Sequence, residues 1–231
     1  MLAVGVALGL ALAVREARRK GIDPELVSLF AIYAIPAGLV GARLLYVALE
    51  WQEYAAEPWR VFSLQEGGLS VHGAILAGAA VAMWFARRRQ LSGWSFADLF
   101  APSLALGIGI TRLGCFLNGC CYGVPTGGVW GTFTRYAPGL RHPTQLYEMG
   151  LDLALFAWLW SMRGRTRYEG QLILSFAALY SLVRFALDFY RDVPRLAGSF
   201  TVTQVASLLL AGAVWTFHRA RSEGLARSRG V

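Results

Sequence analysis

Several ionisable side chains lie within long apolar stretches of this chain of 231 residues. An ionisable group inside a transmembrane helix costs at least about 2.5 kcal/mol on insertion scales, and such groups commonly mark functional sites. The set comprises Arg43, His72, Arg112, Glu148, Arg184 and Asp188. Because Arg184 and Asp188 are four residues apart, they share a helix face and are expected to form an ion pair.

The three arginines of this set favour an anionic ligand, because only a few acidic residues lie near them. A planar guanidinium binds phosphate through two parallel hydrogen bonds, and a phosphate that enters from a membrane is most simply a phospholipid headgroup. The alternative is that each charge belongs to a structural ion bridge between helices. Both interpretations stay open for single residues, whereas the whole set together favours a binding site.

The segment from Thr111 to Gly123 combines glycines with the only three cysteines of the chain, Cys115, Cys120 and Cys121. Its glycines predict a tight, re-entrant backbone, which at membrane depth must line a cavity or be buried in protein. Four roles stay open for the cysteines: a metal site, a disulfide, small apolar packing, or a thiolate nucleophile. Since their spacing matches no standard zinc pattern, no metal is predicted.

These residues need elements that hold them within a membrane. Hydrophobic residues make up 56% of the chain and gather in blocks, and a helix of about 20 apolar residues crosses a hydrocarbon core of about 30 Å. The pattern predicts an all-α polytopic membrane protein, a single transmembrane domain over residues 1–231 with about seven transmembrane helices and a small external loop region. The predicted spans are Met1–Val14, Glu25–Leu49, Leu69–Phe85, Phe96–Arg112, Thr144–Met162, Gln171–Leu187 and Phe200–Phe217.

The net charge of +8 comes from basic residues that are concentrated in every second predicted loop. Fourteen of the 22 lysines and arginines fall at 15–20, 87–89, 163–167 and 219–229. By the positive-inside rule these segments face the cytoplasm, so the N-terminus is expected outside and the C-terminus in the cytoplasm. The ionisable set then lies toward the external face. Because the charge is explained by topology, no nucleic-acid partner is predicted.

Three motifs resemble those of the prolipoprotein diacylglyceryl transferase family. Gly67–Gly73 reads Gly-Gly-Leu-Ser-Val-His-Gly, and Arg141–Glu148 reads Arg-His-Pro-Thr-Gln-Leu-Tyr-Glu. Between them stand Arg112-Leu113-Gly114, Phe116, Asn118-Gly119 and Gly123, and Gly41-Ala42-Arg43 and Arg184 to Asp188 also have counterparts. The motifs come in the family order and cover almost the whole chain, so the chain is identified as a divergent member of this family.

The resemblance implies a seven-span enzyme of the bacterial cytoplasmic membrane. Such an enzyme moves diacylglyceryl from phosphatidylglycerol to the lipobox cysteine of a prolipoprotein, forms a thioether and releases glycerol 1-phosphate. Its partners are therefore phosphatidylglycerol, the lipobox peptide and membrane lipids. No cofactor is expected, because the leaving group is already part of the lipid.

The resemblance also assigns roles to residues. The expected catalytic residues are His72, which would accept the thiol proton or anchor the lipid, Arg112, which would hold the phosphate, and Arg141, which would lower the pKa of the acceptor thiol. The expected substrate-binding residues are Arg43, Asn118, Gly123, Tyr147, Glu148, Arg184 and Asp188.

The chain departs from the family pattern at the cysteines. Cys115 stands where asparagine is common, Cys120 where glutamate is common, and Thr111 where glycine is usual. The segment before Arg141 is short, so the external loop region at 115–143 is expected to replace a larger head region.

Two alternatives to the transferase stay open. One is a family paralogue with another lipid-headgroup or cysteine-dependent reaction. The other is a non-enzymatic protein that binds or transports phospholipid. The joint presence of His72, Arg112, Arg141 and Glu148 favours the enzyme, because a protein that only binds lipid would not need the His72 and Arg141 motifs together.

Overall fold

The computed structural model describes residues 1–63, 67–195 and 200–229, and within them the chain is mostly helical. The helices are α1 (Leu2–Arg19), α2 (Pro24–Leu49), α3 (Trp51–Tyr54), α4 (Val71–Arg88), α5 (Gly93–Asn118), α6 (Thr144–Met162), α7 (Gln171–Leu187) and α8 (Val202–Arg229). A 3-10 turn covers Pro58–Phe62. Two short strands, β1 (Thr132–Thr134) and β2 (Ala137–Arg141), form an antiparallel pair.

Each of the seven predicted spans overlaps one of the seven long helices in the described part of the chain. Helices α1 and α8 continue past the predicted ends, Val14 and Phe217, to Arg19 and Arg229. Helices α6 and α7 begin and end at the predicted residues. Helix α5 continues past Arg112 to Asn118, so the prediction that this helix ends at Arg112 is wrong. Arg112 can lie inside the helix because a carboxylate on α6 pairs with it. As a consequence, Cys115 belongs to a helix and not to a re-entrant loop.

The helices carry the apolar surface of a membrane protein. Helices α2 and α5 are long and apolar enough to cross a membrane. On α2 the side chains of Ile32, Ile35, Leu39, Val40 and Leu44 are between 44% and 66% exposed. Apolar area left in water costs about 25 cal/mol per Å², whereas a lipid environment removes this cost.

The chain divides into two compact units, and one of them comprises Val14–Ala97. Its centre is the packing of α2 against α4. Gly41 and Gly73 let the two backbones come so close that a Cβ atom on Gly73 would overlap the carbonyl oxygen of Gly41. The amide of Ser70 donates to the carbonyl of Ala42 at 2.9 Å, which ties the start of α4 to α2.

The other unit comprises Met1–Ala13 and Asp98–Val231. Its apolar core includes Ala105 of α5, Leu155 and Leu159 of α6, and Leu172 of α7. Buried Asp98 accepts hydrogen bonds from the amides of Gly170 at 2.8 Å and Ile173 at 2.9 Å. Amides at a helix start have no partner within the helix, so Asp98 satisfies the start of α7.

Extended backbone between α5 and α6 completes this unit. The amide of Gly123 donates to the carbonyl of His142 at 2.9 Å, and the amide of Val124 donates to the carbonyl of Tyr190 at 2.9 Å. The chain around Gly123 therefore runs between the end of β2 and the segment that follows α7. This arrangement brings Arg141 and Arg191, which are far apart in sequence, to opposite sides of one short segment.

Candidate active site

Glu148 is the centre of a cluster of charges within the unit that contains α5–α8. It lies one turn into α6, and only 1% of its surface is exposed. Its Oε1 lies 2.9 Å from Nη2 of Arg112 on α5, and its Oε2 accepts from Nη1 of Arg184 on α7 at 3.1 Å. Nη1 of Arg191 lies 3.7 Å from Oε2. One carboxylate thus holds guanidinium groups from two helices and from the segment after α7.

Asp188 provides the second buried carboxylate of the cluster. Its Oδ1 accepts from Nη2 of Arg184 at 3.0 Å, so the ion pair expected from the four-residue spacing is present. Its Oδ2 accepts from the hydroxyl of Thr201 at 2.7 Å. Arg184 therefore links Glu148 to Asp188 and has one donor group committed to each acid.

The ion pairs of the cluster involve more arginines than acids. Three guanidinium groups, those of Arg112, Arg184 and Arg191, contact two carboxylates. Nε of Arg112 is buried and has no hydrogen-bond partner among the described residues. A buried donor without a partner costs about 1–3 kcal/mol. An anion with oxygen acceptors would satisfy this donor and pair with the guanidinium groups.

Arg141 lies at the end of β2 and makes a separate ion pair. Its Nη1 is 2.9 Å from Oδ2 of Asp192, and its Nε donates to the carbonyl of Pro138 at 3.2 Å. The guanidinium also lies over the ring of Tyr122, 5.5 Å from the ring centre. Because half of the Asp192 side chain is exposed, this pair is weak and leaves Arg141 available to a ligand.

The start of α6 fixes the loop that precedes it. Gln145 donates from Nε2 to the carbonyl of Cys120 at 2.6 Å, and Thr144 donates from Oγ1 to the carbonyl of Cys121 at 2.9 Å. Both side chains are buried. The hydroxyl of Tyr147 lies 3.2 Å from Nδ1 of His142. The Arg141–Glu148 motif therefore positions the cysteine segment as well as the carboxylate.

Two further predicted binding residues have structural partners in the same unit. Oδ1 of Asn118, the last residue of α5, accepts from Nη2 of Arg135 at 2.9 Å. Gly123 lies so close to His142 and Thr144 that a Cβ atom would fall 2.8 Å from a side-chain carbon of each. Gly123 therefore permits tight packing at this point, and the role of both residues in substrate binding stays a prediction.

The three cysteines are free thiols, and their sulfur atoms lie within 4.8 Å of one another. The disulfide considered as one alternative is therefore absent among these described residues. A hydrogen bond from the Cys115 thiol, together with the charges of Arg191 and Arg112, lowers the pKa of the Cys121 thiol despite its partial burial.

Arg43 and His72 belong to the unit Val14–Ala97. The five N–H donors of Arg43 all bind backbone carbonyls, at distances between 2.5 and 3.1 Å. The acceptors are Arg60, Val61, Ser63, Gly67 and Gly68. A guanidinium has five donors, so in this structure Arg43 holds the described parts of the chain between α3 and α4. His72 lies in the first turn of α4 with an exposed imidazole. Their catalytic and binding roles stay predictions.

Sequence reasoning missed one member of the charge cluster, Arg191, and a buried acid next to the cluster, Asp152. Arg191 lies three residues beyond Asp188, but it follows the predicted span and was not identified. Asp152 is fully buried one turn after Glu148, and neither of its carboxylate oxygens has a hydrogen-bond partner among the described residues. The signal for Asp152 was available, because it is an ionisable residue inside a predicted span.

The sequence is similar to a family of known enzymes. Residues 1–218 match a family model described as prolipoprotein diacylglyceryl transferase. The chain is 35% identical to a phosphatidylglycerol–prolipoprotein diacylglyceryl transferase of Trichormus variabilis, over 96% of this chain and 85% of the relative. Relatives of the same name in Halalkalibacterium halodurans and Geobacillus kaustophilus are 35% and 36% identical, over 99% and 98% of this chain and 83% and 89% of their own length.

Proposed function

Because the chain belongs to the prolipoprotein diacylglyceryl transferase family, we propose that it transfers diacylglyceryl from phosphatidylglycerol to a prolipoprotein cysteine. The product is a thioether on the lipobox cysteine, and glycerol 1-phosphate leaves. The chain is thus a transferase. The lipobox peptide and membrane lipids are its other partners in this proposal.

The observation that carries the proposal is the group of three arginines around Glu148, one of which has a buried donor without a partner among the described residues. A phosphodiester has one negative charge and two free oxygens, which suit these guanidinium groups and the unpaired Nε of Arg112. When the bond between the glyceryl carbon and oxygen breaks, the phosphate gains a second negative charge. Donors fixed before the reaction stabilise this developing charge. Arg112 is therefore assigned to the phosphate, and Arg184 holds Glu148 and Asp188 in place.

The acceptor thiol needs to lose its proton. A thiol with a pKa of about 8.5 is mostly protonated at neutral pH, and adjacent positive charge favours the thiolate. Arg141 is assigned this role, since its only charged partner among the described residues is the half-exposed Asp192. His72 is assigned as proton acceptor, because imidazole titrates near neutral pH whereas arginine stays protonated.

The remaining residues support binding in this proposal. Glu148 and Asp188 orient the arginines, and Tyr147 holds His142 next to Arg141. Arg43, Asn118 and Gly123 are assigned to substrate binding as well.

We further propose a seven-span arrangement in the bacterial cytoplasmic membrane. The spans are the long helices α1, α2, α4, α5, α6, α7 and α8. The N-terminus lies outside and the C-terminus in the cytoplasm, which is supported by the arginine-rich loops at one side. Phosphatidylglycerol would then enter from the outer leaflet.

The proposal is tested in bacteria depleted of their own prolipoprotein diacylglyceryl transferase. Expression of this chain should restore growth and the diacylglyceryl thioether on a reporter prolipoprotein, as measured by mass spectrometry. Arg112→Ala should restore neither, while exposed Arg165→Ala serves as a matched control. Unmodified reporter in cells that hold the wild-type chain in the membrane would contradict the proposal.

A further inference from the structure

The cysteine cluster has the shape of a three-thiolate metal site. The sulfur atoms of Cys115, Cys120 and Cys121 lie within 4.8 Å of one another. Thiolates around a tetrahedral zinc ion, with Zn–S bonds of about 2.3 Å, lie roughly 3.8 Å apart. The cluster therefore needs only small side-chain rotations to close around such an ion.

The backbone holds this cluster in place through the end of α5. The amide of Cys120 donates to the carbonyl of Cys115 at 3.1 Å, and the amide of Gly119 donates to the carbonyl of Phe116 at 3.0 Å. These two bonds, with Gly119 at a φ of +79°, form a Schellman motif. The motif reverses the chain, so that Cys120 and Cys121 return toward Cys115 on the last turn of the helix.

Contacts from other elements fix the reversed chain from outside. The buried side chains of Gln145 and Thr144 hold the carbonyls of Cys120 and Cys121. The hydroxyl of Thr134 donates to the carbonyl of Gly119 at 2.6 Å. The three ligand positions are therefore set by the fold before any ion binds, which is the property that a functional site requires.

The surrounding charge suits an anionic metal centre. Three thiolates around one divalent ion have a net charge of −1. Arg112 and Arg191 are both close enough to Cys121 to interact with it electrostatically. Positive charge next to the cluster therefore stabilises the complex, and Arg112 joins it to the Glu148 cluster.

The number of ligands distinguishes a catalytic site from a structural one. Structural zinc sites have four protein ligands, whereas catalytic zinc sites have three and keep a position for water or substrate. This chain contains only three cysteines. In the proposed function the acceptor is itself a thiol, which is the type of ligand that thiophilic metals prefer.

We propose that Cys115, Cys120 and Cys121 bind Zn²⁺, and that the acceptor cysteine of the prolipoprotein binds this ion as its fourth ligand. This inference rests on the proposed function. When the acceptor thiol binds the metal, it releases its proton to a base or to solvent. The metal-held sulfur then attacks the glyceryl carbon with its electron pair, and an S–C bond forms. The C–O bond to the phosphate breaks, and glycerol phosphate leaves with that electron pair as a dianion.

The expected effect of the metal on kcat/KM can be calculated from the ionised fraction of the acceptor thiol. At pH 7 about 3% of a thiol with a pKa of about 8.5 is ionised. Full ionisation on a metal raises the reactive fraction roughly 30-fold. Removal of the ion should therefore lower kcat/KM by up to roughly 30-fold at pH 7, and by less to the extent that the charge of Arg141 keeps the thiol ionised. The loss should nearly vanish at pH 9.

The test uses the full chain in lipid nanodiscs, prepared under reducing conditions. Elemental analysis should find about one zinc ion per chain. Replacement by Co²⁺ should give thiolate-to-cobalt charge-transfer absorption. A lipobox peptide should shift the ligand-field bands, whereas the same peptide with serine in place of cysteine should not. Cys115→Ser, Cys120→Ser and Cys121→Ser should each lose the absorption, and Tyr122→Phe, next to Cys121, should keep it.

The outcomes separate this inference from the proposed function. Chains without zinc that transfer diacylglyceryl at the full rate would overturn the metal site and leave the function intact. A disulfide between two of the cysteines in protein taken directly from membranes would also overturn it. Bound zinc with the peptide-induced shift, in a preparation without transfer, would support the site while the proposed function fails. The cobalt titration needs only the wild-type chain, so it stays decisive if the serine variants do not fold.

Discussion

Glu148 is the residue on which the charges of the candidate site depend. It is almost fully buried, and guanidinium groups of Arg112, Arg184 and Arg191 lie within 4 Å of its carboxylate. Removal of one partner from a buried ion pair leaves a charge without compensation, which costs more than the pair itself contributes. Replacement of Glu148 by a neutral side chain of the same shape therefore measures how much its charge contributes to stability.

We expect Glu148→Gln to lower the free energy of unfolding by about 3 kcal/mol, because several arginines would then face one amide. The matched control is Asp192→Asn, which removes a half-exposed carboxylate from Arg141 and should cost less than about 1 kcal/mol. Denaturant unfolding in mixed micelles measures both. Equal losses in the two variants would mean that the Glu148 cluster contributes no special stability.

Arg141 is expected to act through its charge and not through a proton transfer. Arg141→Ala should lower kcat/KM roughly 100-fold, a typical effect for the loss of one electrostatic group in an active site. Arg141→Lys should keep much more activity, because an ammonium group retains the charge. Steady-state rates with a lipobox peptide measure the difference. If the lysine and alanine variants are equally inactive, the charge is not what matters at this position.

At the scale of elements, the end of α5 and the start of α6 build the site together. A Schellman motif at Gly119 reverses the chain after α5, and Thr144 and Gln145 hold the reversed segment. On α6, the same helix start places Glu148 one turn further, next to Arg112 of α5. One helix junction thus positions both the thiols and the charge cluster.

Packing between α2 and α4 depends on the close approach of Gly41 and Gly73. Gly73→Ala should destabilise the protein by about 1–3 kcal/mol, because the new methyl group overlaps the backbone of α2. Gly78→Ala on the same helix is the control. It has no atom within 4 Å of the new Cβ and should be neutral or slightly stabilising. Thermal unfolding in detergent compares them, and equal stability of the two variants would refute the close contact.

Much of this element structure could be predicted from the sequence, and the exceptions have physical reasons. Helices α6 and α7 were predicted at their exact ends because apolar residues run between clear breaks. The end of α5 was placed too early at Arg112, since the pairing with Glu148 that allows an arginine inside the helix is a tertiary contact. Arg191 was missed for a similar reason, because a backbone bridge to Gly123 brings it to the site.

At the scale of the whole molecule, the placement of charge and apolar surface predicts how the chain is oriented in the membrane. Arginine-rich loops alternate with loops that have few basic residues, and α2 and α5 are long enough to cross a bilayer. The motifs that contain Arg112 and Arg141 lie at the ends of helices opposite the basic loops. This distribution predicts a site that opens toward the outer leaflet.

The orientation can be measured with epitope tags at the two termini. In right-side-out spheroplasts, protease should remove an N-terminal tag and leave a C-terminal tag intact until the membrane is broken. The reason is the predicted topology, with the N-terminus outside and the C-terminus in the cytoplasm. A C-terminal tag that is cleaved in intact spheroplasts would contradict it.

The most direct measurement of the central claim is turnover by the purified chain in phosphatidylglycerol nanodiscs with a lipobox peptide. We predict equal amounts of glycerol phosphate and of peptide whose cysteine has gained one diacylglyceryl group. A peptide with serine in place of the cysteine should yield neither, and Arg112→Ala should reduce both roughly 100-fold or more. If the folded wild-type chain forms no lipidated peptide, or if glycerol phosphate appears without it, the assignment as a diacylglyceryl transferase is wrong.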